Sequence, residues 1–133
     1  MRLSRKSEYA CLAMIDLAEH DQAGLVKMVD LAGRKAIPRK YLEQILLILK
    51  RAGYVRSARG SAGGYKLAKP PQRISLAEII RLLDGPLAPV ESVSKHFYER
   101  TPVEANKRLT RVFREIRDYA AKKLEHTHLS DLV

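Results

Sequence analysis

Residues 38–65 read PRKYLEQILLILKRAGYVRSARGSAGGY and concentrate side chains that can hydrogen-bond to base edges and phosphates. Leu42, Ile45, Leu46 and Leu49 recur at i, i+3, i+4 and i+7, so a helix here has one apolar stripe, which Tyr41 and Ile48 widen. The opposite arc carries Arg39, Lys40, Glu43, Gln44, Lys50 and Arg51. A carboxylate such as Glu43 can accept from a cytosine amine, a carboxamide such as Gln44 can pair with an adenine edge, and the cations suit phosphate or guanine. A solvated helix surface has the same composition, and a salt bridge from Glu43 back to Arg39 is the local alternative.

The next residues favour the first reading. Residues 54–57 and 65–68 alternate apolar and polar as strands do, and between them lies Arg59-Gly60-Ser61-Ala62-Gly63-Gly64. Glycine allows close approach to a phosphate, and Arg59 can enter a minor groove or pair with the backbone. A nucleotide-binding loop of the Walker type is excluded, because no GK[ST] follows and no helix opens after it.

Composition narrows the partner. The 133 residues suit a single domain of modest size, and the formal net charge is +10. Residues 1–73 hold 15 Lys/Arg against 6 Asp/Glu, whereas residues 74–133 hold 10 against 9. The basic excess therefore accompanies the helix and hairpin, as a polyanion-binding surface requires. No apolar run approaches a membrane span, no basic amphipathic helix is free to lie on a membrane, and no signal-peptide pattern opens the chain, so a cytoplasmic protein is expected. The lone Cys11 rules out an internal disulfide framework and sits among Ala and Leu as a small core residue would. No nucleophile with a base, no paired carboxylates in a cleft and no ligand cluster supports an enzyme.

The elements that position the polar arc can be read in order. Residues 1–20 predict a first helix with Ser4 as its N-cap and a basic cluster of Arg2, Arg5 and Lys6 at its start, where cations and free N–H groups grip a nucleic-acid backbone. Residues 27–35 form a short second helix, and Ala36-Ile37 turns into the third, with Pro38 at its first position and Gly53 just beyond its end. Ala36 stands where such turns often use Gly. Two helices joined by a tight turn and followed by a hairpin make a winged helix-turn-helix.

On the segments RLSRKSEYA, KYLEQI, AGYV and RGSAGGYKL, and then LLDGPLAPVE and LSDLV, the chain resembles the bacterial winged-helix regulators of the Rrf-two family. The resemblance implies a homodimeric DNA-binding regulator with its third helix in the major groove and its wing in the minor groove. Carried over by position, it places Tyr41, Glu43 and Gln44 on the recognition helix and Arg59 and Gly60 on the wing. Cluster-binding relatives carry three cysteines in the connector; here residues 87–100 read LAPVESVSKHFYER, with none. An iron-sulfur cluster is therefore not expected, and neither is a metal at the scattered His96, His126 and His128. Phe97 and Tyr98 are expected to anchor the connector, and a protein co-regulator stays open as a partner.

Ser75-Leu76-Ala77-Glu78 predicts a capping box and a fourth helix ended by Gly85-Pro86. Thr101-Pro102-Val103-Glu104 predicts a second one, opening an unbroken helix of roughly 24 residues, about 36 Å long. Leu109, Val112, Phe113, Ile116, Ala120 and Leu124 make its apolar stripe, and pairing with a second copy would bury it; packing on its own domain is the alternative.

The expectation is thus a mainly α chain with a small β-hairpin: a winged helix-turn-helix DNA-binding domain over 1–84, a connector over 85–101, and a dimerisation helix with a tail over 102–133. Double-stranded DNA is the expected ligand, met by Arg2, Ser4, Lys6, Arg39, Lys40, Tyr41, Glu43, Gln44, Arg51, Arg59, Gly60 and Ser61, with a second copy as partner. A winged-helix module for protein or RNA, without sequence-specific DNA binding, is the competing reading.

Overall fold

The computed structural model describes residues 2–133. Five helices and one hairpin follow in the order α1 (Arg5–Glu19), α2 (Met28–Lys35), α3 (Arg39–Arg51), β1 (Val55–Ala58), β2 (Gly64–Leu67), α4 (Leu76–Asp84) and α5 (Lys107–Glu125), with short 3-10 turns between and after them. Among the described residues no helix is long and apolar enough to cross a membrane.

The core forms where α1, α2 and α3 turn their apolar faces inward around Met14, Leu17, Leu31, Leu42, Ile45 and Leu49, all at most 1 % exposed. Small residues on α1 let its neighbours approach: Ala10 and Ala13 are fully buried. The stripe predicted for α3 is the buried one. Pro38 lies one position earlier than expected, as the N-cap, with extended backbone and its carbonyl accepting from Leu42 N. Ala36 takes the left-handed conformation at φ 53° that a glycine would adopt without strain.

The strands β1 and β2 pair antiparallel, Val55 opposite Leu67 and Ala58 opposite Gly64. A third edge is supplied by Val26, which exchanges both backbone hydrogen bonds with Tyr65 at 2.7 and 2.8 Å. Gly64 explains itself here: at φ 150° a Cβ would stand 2.5 Å from the Val26 carbonyl oxygen. The wing is thereby tied by its stem to the loop before α2.

The Ser75–Glu78 capping box forms as expected. The second one does not. The Thr101 hydroxyl is hydrogen-bonded to Ser92, and the Glu104 carboxylate accepts from Tyr98 Oη at 2.6 Å, so both halves of that box are engaged elsewhere. Pro102–Ala105 is a 3-10 turn, and α5 starts afresh at Lys107, capped by Asn106, whose side chain accepts from Leu109 N at 3.0 Å. The helix is therefore 19 residues long, about 28 Å rather than about 36 Å.

The tail beyond α5 returns to the first half. Leu129 is fully buried in the main core, and its N–H donates to the Ile74 carbonyl at 2.9 Å while Leu76 N donates to Thr127 O at 2.9 Å. Residues 127–129 thus share a core with α1 and the start of α4, although the chain order places them with the long helix.

Candidate nucleic-acid interface

The polar arc of α3 faces solvent. Arg39, Lys40, Glu43, Gln44, Lys50 and Arg51 are exposed, and so is Leu47 in their midst. Among the described residues Glu43 forms no ion pair, so the bridge to Arg39 that would have tied up its carboxylate is absent. Tyr41 stands apart. Its ring lies 5.9 Å from that of Tyr9 and its face carries Lys40 Nζ at 5.7 Å, so it joins the start of α3 to α1. Arg59, Gly60 and Ser61 are exposed at the wing tip, where Gly63 N donates to Gly60 O at 3.0 Å to close the turn. Lys27, Lys50 and Arg59 line a shallow cleft between the start of α2, the end of α3 and the wing. Helix and hairpin therefore both present cations to the same cleft.

The seat of α2 against α1 is held by a contact that no local pattern announces. Asp16 on α1 is fully buried and accepts from Arg34 Nε and a terminal guanidinium nitrogen, both at 2.9 Å. That fork-to-fork pair lashes α2 to α1, and Lys35 to Glu19 at 3.1 Å adds a second tie. The Asp16 hydrogen bond, opposed by desolvation, raises the Arg34 pKa above the ordinary guanidinium value. The partners are 18 residues apart; Asp16 reads in sequence as part of the polar side of the first helix, and its burial follows from the long-range pairing with Arg34.

Ser4 is exposed and is also bonded into the protein's own frame. Its hydroxyl accepts from Ser7 N at 3.1 Å, as an N-cap should, and donates to Asp84; its N–H donates to the same carboxylate at 2.8 Å. Asp84 ends α4, so the start of α1 is fastened to the point where the connector begins. Burial raises the Asp84 pKa, but the bonds from Ser4 more than offset it and hold the carboxyl below its ordinary value. Arg2, in the N-terminal arm before α1, and Lys6, in the first turn of α1, remain as exposed cations, whereas Arg5 pairs with Glu8 at 3.2 Å.

The connector is a closed loop held from within. Ser92, Val93 and Ser94 are buried, Phe97 N donates to Ser94 Oγ at 3.0 Å, and the Arg117 guanidinium of α5 donates to the Val93 carbonyl at 2.8 Å. Phe97 and Tyr98, expected as anchors, are 43 % and 59 % exposed. Val93 and Leu87 anchor the loop instead, because its tight turns project the two aromatics outward. Cys11 lies half-buried on α1, and burial, with the Asp84 charge behind it, pushes its thiol up to about 11. Among the described residues the one grouping of carboxylates and imidazole close enough for an ion is Asp16, Glu19 and His20, and Asp16 already holds Arg34 with both oxygens.

On α5, Leu109, Val112 and Ile116 of the expected stripe are 43 %, 49 % and 40 % exposed, and Tyr119 beside them 76 %. Phe113, Ala120 and Leu124 are half-buried. The helix meets α4 and the connector with another side, burying Thr110 and Ala121 and pairing Arg81 with Glu125 at 2.6 Å.

A tight helix-turn-helix with a solvent-facing polar helix and a basic wing defines a DNA-binding transcription regulator of the winged-helix class. Residues 3–133 match the family model of Rrf2, described as an iron-dependent transcriptional regulator. The chain belongs to that family. It is 41 % identical over 133 residues to an HTH-type transcriptional regulator of Mycobacterium tuberculosis, covering 99 % of this chain and 81 % of the relative. To the HTH-type regulator CymR of Bacillus subtilis it is 36 % identical over 132 residues, covering 99 % and 89 %. The solved structure of B. subtilis CymR, titled the global cysteine regulator, superposes with a TM-score of 0.81 at 32 % identity over 99 % of this chain and 95 % of that one. IscR of T. potens does so with 0.77 at 30 % identity, covering 99 % and 85 %. These relatives are transcriptional regulators and not enzymes.

Proposed function

We propose that this protein is a sequence-specific repressor that binds a dyad-symmetric operator as a homodimer, without an iron-sulfur cluster. The observation that carries the dimer is the uncovered apolar stripe of α5: Leu109, Val112, Ile116 and Tyr119 face water on a helix whose other side is already seated. A second copy of the same helix is its simplest cover, because a twofold axis lets one stripe meet itself. Two such copies present two α3 helices, and these suit major grooves one turn apart, roughly 34 Å. Gln44 and Glu43 then read bases from α3, Arg39, Lys40 and Arg51 take phosphates or guanine, and Arg59 follows the minor groove from the wing.

The cluster is left out of the proposal because the donor set does not suit it. The connector offers hydroxyls, carboxylates, Lys95 and His96, and the protein's one thiol lies on α1 beside Asp84 with its pKa raised, where a ligand thiolate would need it lowered.

The test is selection from a random duplex pool followed by footprinting. Recovery of an inverted repeat with half-sites one helical turn apart is expected, and Glu43→Ala should relax the preference at one base position in each half. Salt-sensitive binding with no preferred sequence would refute the proposal and favour a non-specific nucleic-acid module.

A further inference from the structure

Leu47 is 46 % exposed in the middle of the polar arc of α3. The buried stripe centres on Leu42, Ile45, Leu46 and Leu49, and at about 100° per residue Leu47 points about 150° away from that centre, so it contributes nothing to the core. Its neighbours one turn back are Glu43 and Gln44, and one turn on are Lys50 and Arg51, all exposed. Single exposed leucines are ordinary on protein surfaces. This one is set apart by its place, since it occupies the centre of a surface otherwise made of groups suited to base edges and phosphates.

We infer that Leu47 is a specificity-determining residue that reads the C5-methyl group of a thymine in the major groove. This rests on the DNA-reading role of α3 proposed above. Thymine carries the one methyl group of the four bases, and it projects into the major groove beside the acceptor and donor edges that Glu43 and Gln44 can read. A leucine side chain is too short to reach the phosphates at the rim from the centre of the helix face. It reaches the base edges directly beneath the axis, where a cation or carboxamide would hydrogen-bond and an aliphatic group can only exclude water against another aliphatic group. Contact between the leucine methyls and the thymine methyl removes both from water, whereas cytosine in the same place would leave its amine facing Leu47 without a partner.

The experiment uses the full-length protein and the duplex recovered from a random pool. Each thymine of one half-site is replaced in turn by deoxyuridine, which removes the methyl group and keeps every hydrogen-bonding atom. Wild-type protein is expected to lose about fourfold in affinity at one position, the worth of burying one methyl-sized group. Leu47→Ala is expected to bind the thymine duplex about fourfold more weakly and to lose nothing further with deoxyuridine, its helix content by circular dichroism unchanged. Wild-type indifference to every replacement, or a full deoxyuridine penalty retained in Leu47→Ala, overturns the inference while leaving sequence-specific binding intact. A pool that converges on no sequence overturns both.

Discussion

The outward surfaces of the wing half and of α5 differ in kind. From α1 to β2 the apolar residues go inward and the charge goes outward, so that the exposed face of α3 and the wing carry an excess of cations. In α5 one exposed stripe holds Leu109, Val112, Ile116 and Tyr119, flanked by charged residues, while Thr110, Ala121 and the Arg117 guanidinium face the protein. One surface suits a polyanion and the other suits apolar contact. Binding by counterion release weakens with salt, and burial of apolar area does not, so the two surfaces can be separated by ionic strength alone.

The largest expected effect strikes the apolar surface. Ile116→Asp places a charge at the centre of the α5 stripe without touching the core, since Ile116 is already 40 % exposed. The variant should elute as a monomer and lose on the order of 10²-fold or more in operator affinity, because one half-site no longer raises the effective concentration of the other. A persistent dimer would move the seam elsewhere and weaken the contrast drawn above.

Next comes the frame that both surfaces share. Arg34→Ala leaves the buried Asp16 carboxylate without its bidentate partner. Breaking such a pair costs several kcal/mol, and because the guanidinium side is 40 % exposed, about 3 kcal/mol, the lower end, is expected in denaturant unfolding. Unchanged stability would mean that the bridge is screened and that apolar contacts alone set the angle between α1 and α2.

Arg59→Ala sharpens the polar side of the comparison. It should weaken operator binding by about 1–3 kcal/mol and lower the salt slope by roughly one counterion, with dimerisation untouched. An unaltered slope would take the wing out of the DNA contact.

The same division explains what the sequence made visible. The buried stripe of α3 follows from residues three and four apart, the wing from alternation and glycine, and the Ser75 cap from a four-residue pattern, all of them local. The second capping box had the same local signature and failed, because Ser92 and Tyr98 took its two polar groups from outside the motif. Asp16 with Arg34, Ser4 with Asp84 and Arg117 with Val93 join residues 18, 80 and 24 apart, for which no periodicity exists. Leu47 was obscured for a different reason. In a helix rich in leucine, an exposed one adds to the general apolarity, and only its angle round the axis distinguishes it from the core.

The smallest expected effect tests how the arm is fastened to the second half. Asp84 accepts two hydrogen bonds from Ser4, and its folded pKa lies below the ordinary carboxylate value. A group depressed on folding contributes stability that is fully present above its unfolded pKa, near 3.9, and is lost as pH falls through the lower folded value. Thermal unfolding between pH 5 and acid should therefore show a decline in wild type to which Asp84 contributes, and Asp84→Asn should remove that part while lowering stability slightly at neutral pH. The contribution is small, because Asp84 lies near the surface and solvent screens it. Operator binding adds the decisive measurement. If Asp84 holds Arg2 and Lys6 in place for phosphate contact, Asp84→Ala lowers the salt slope at neutral pH although no cation has been removed; an unchanged slope would confine the carboxylate to stability and leave the arm free to find DNA unaided.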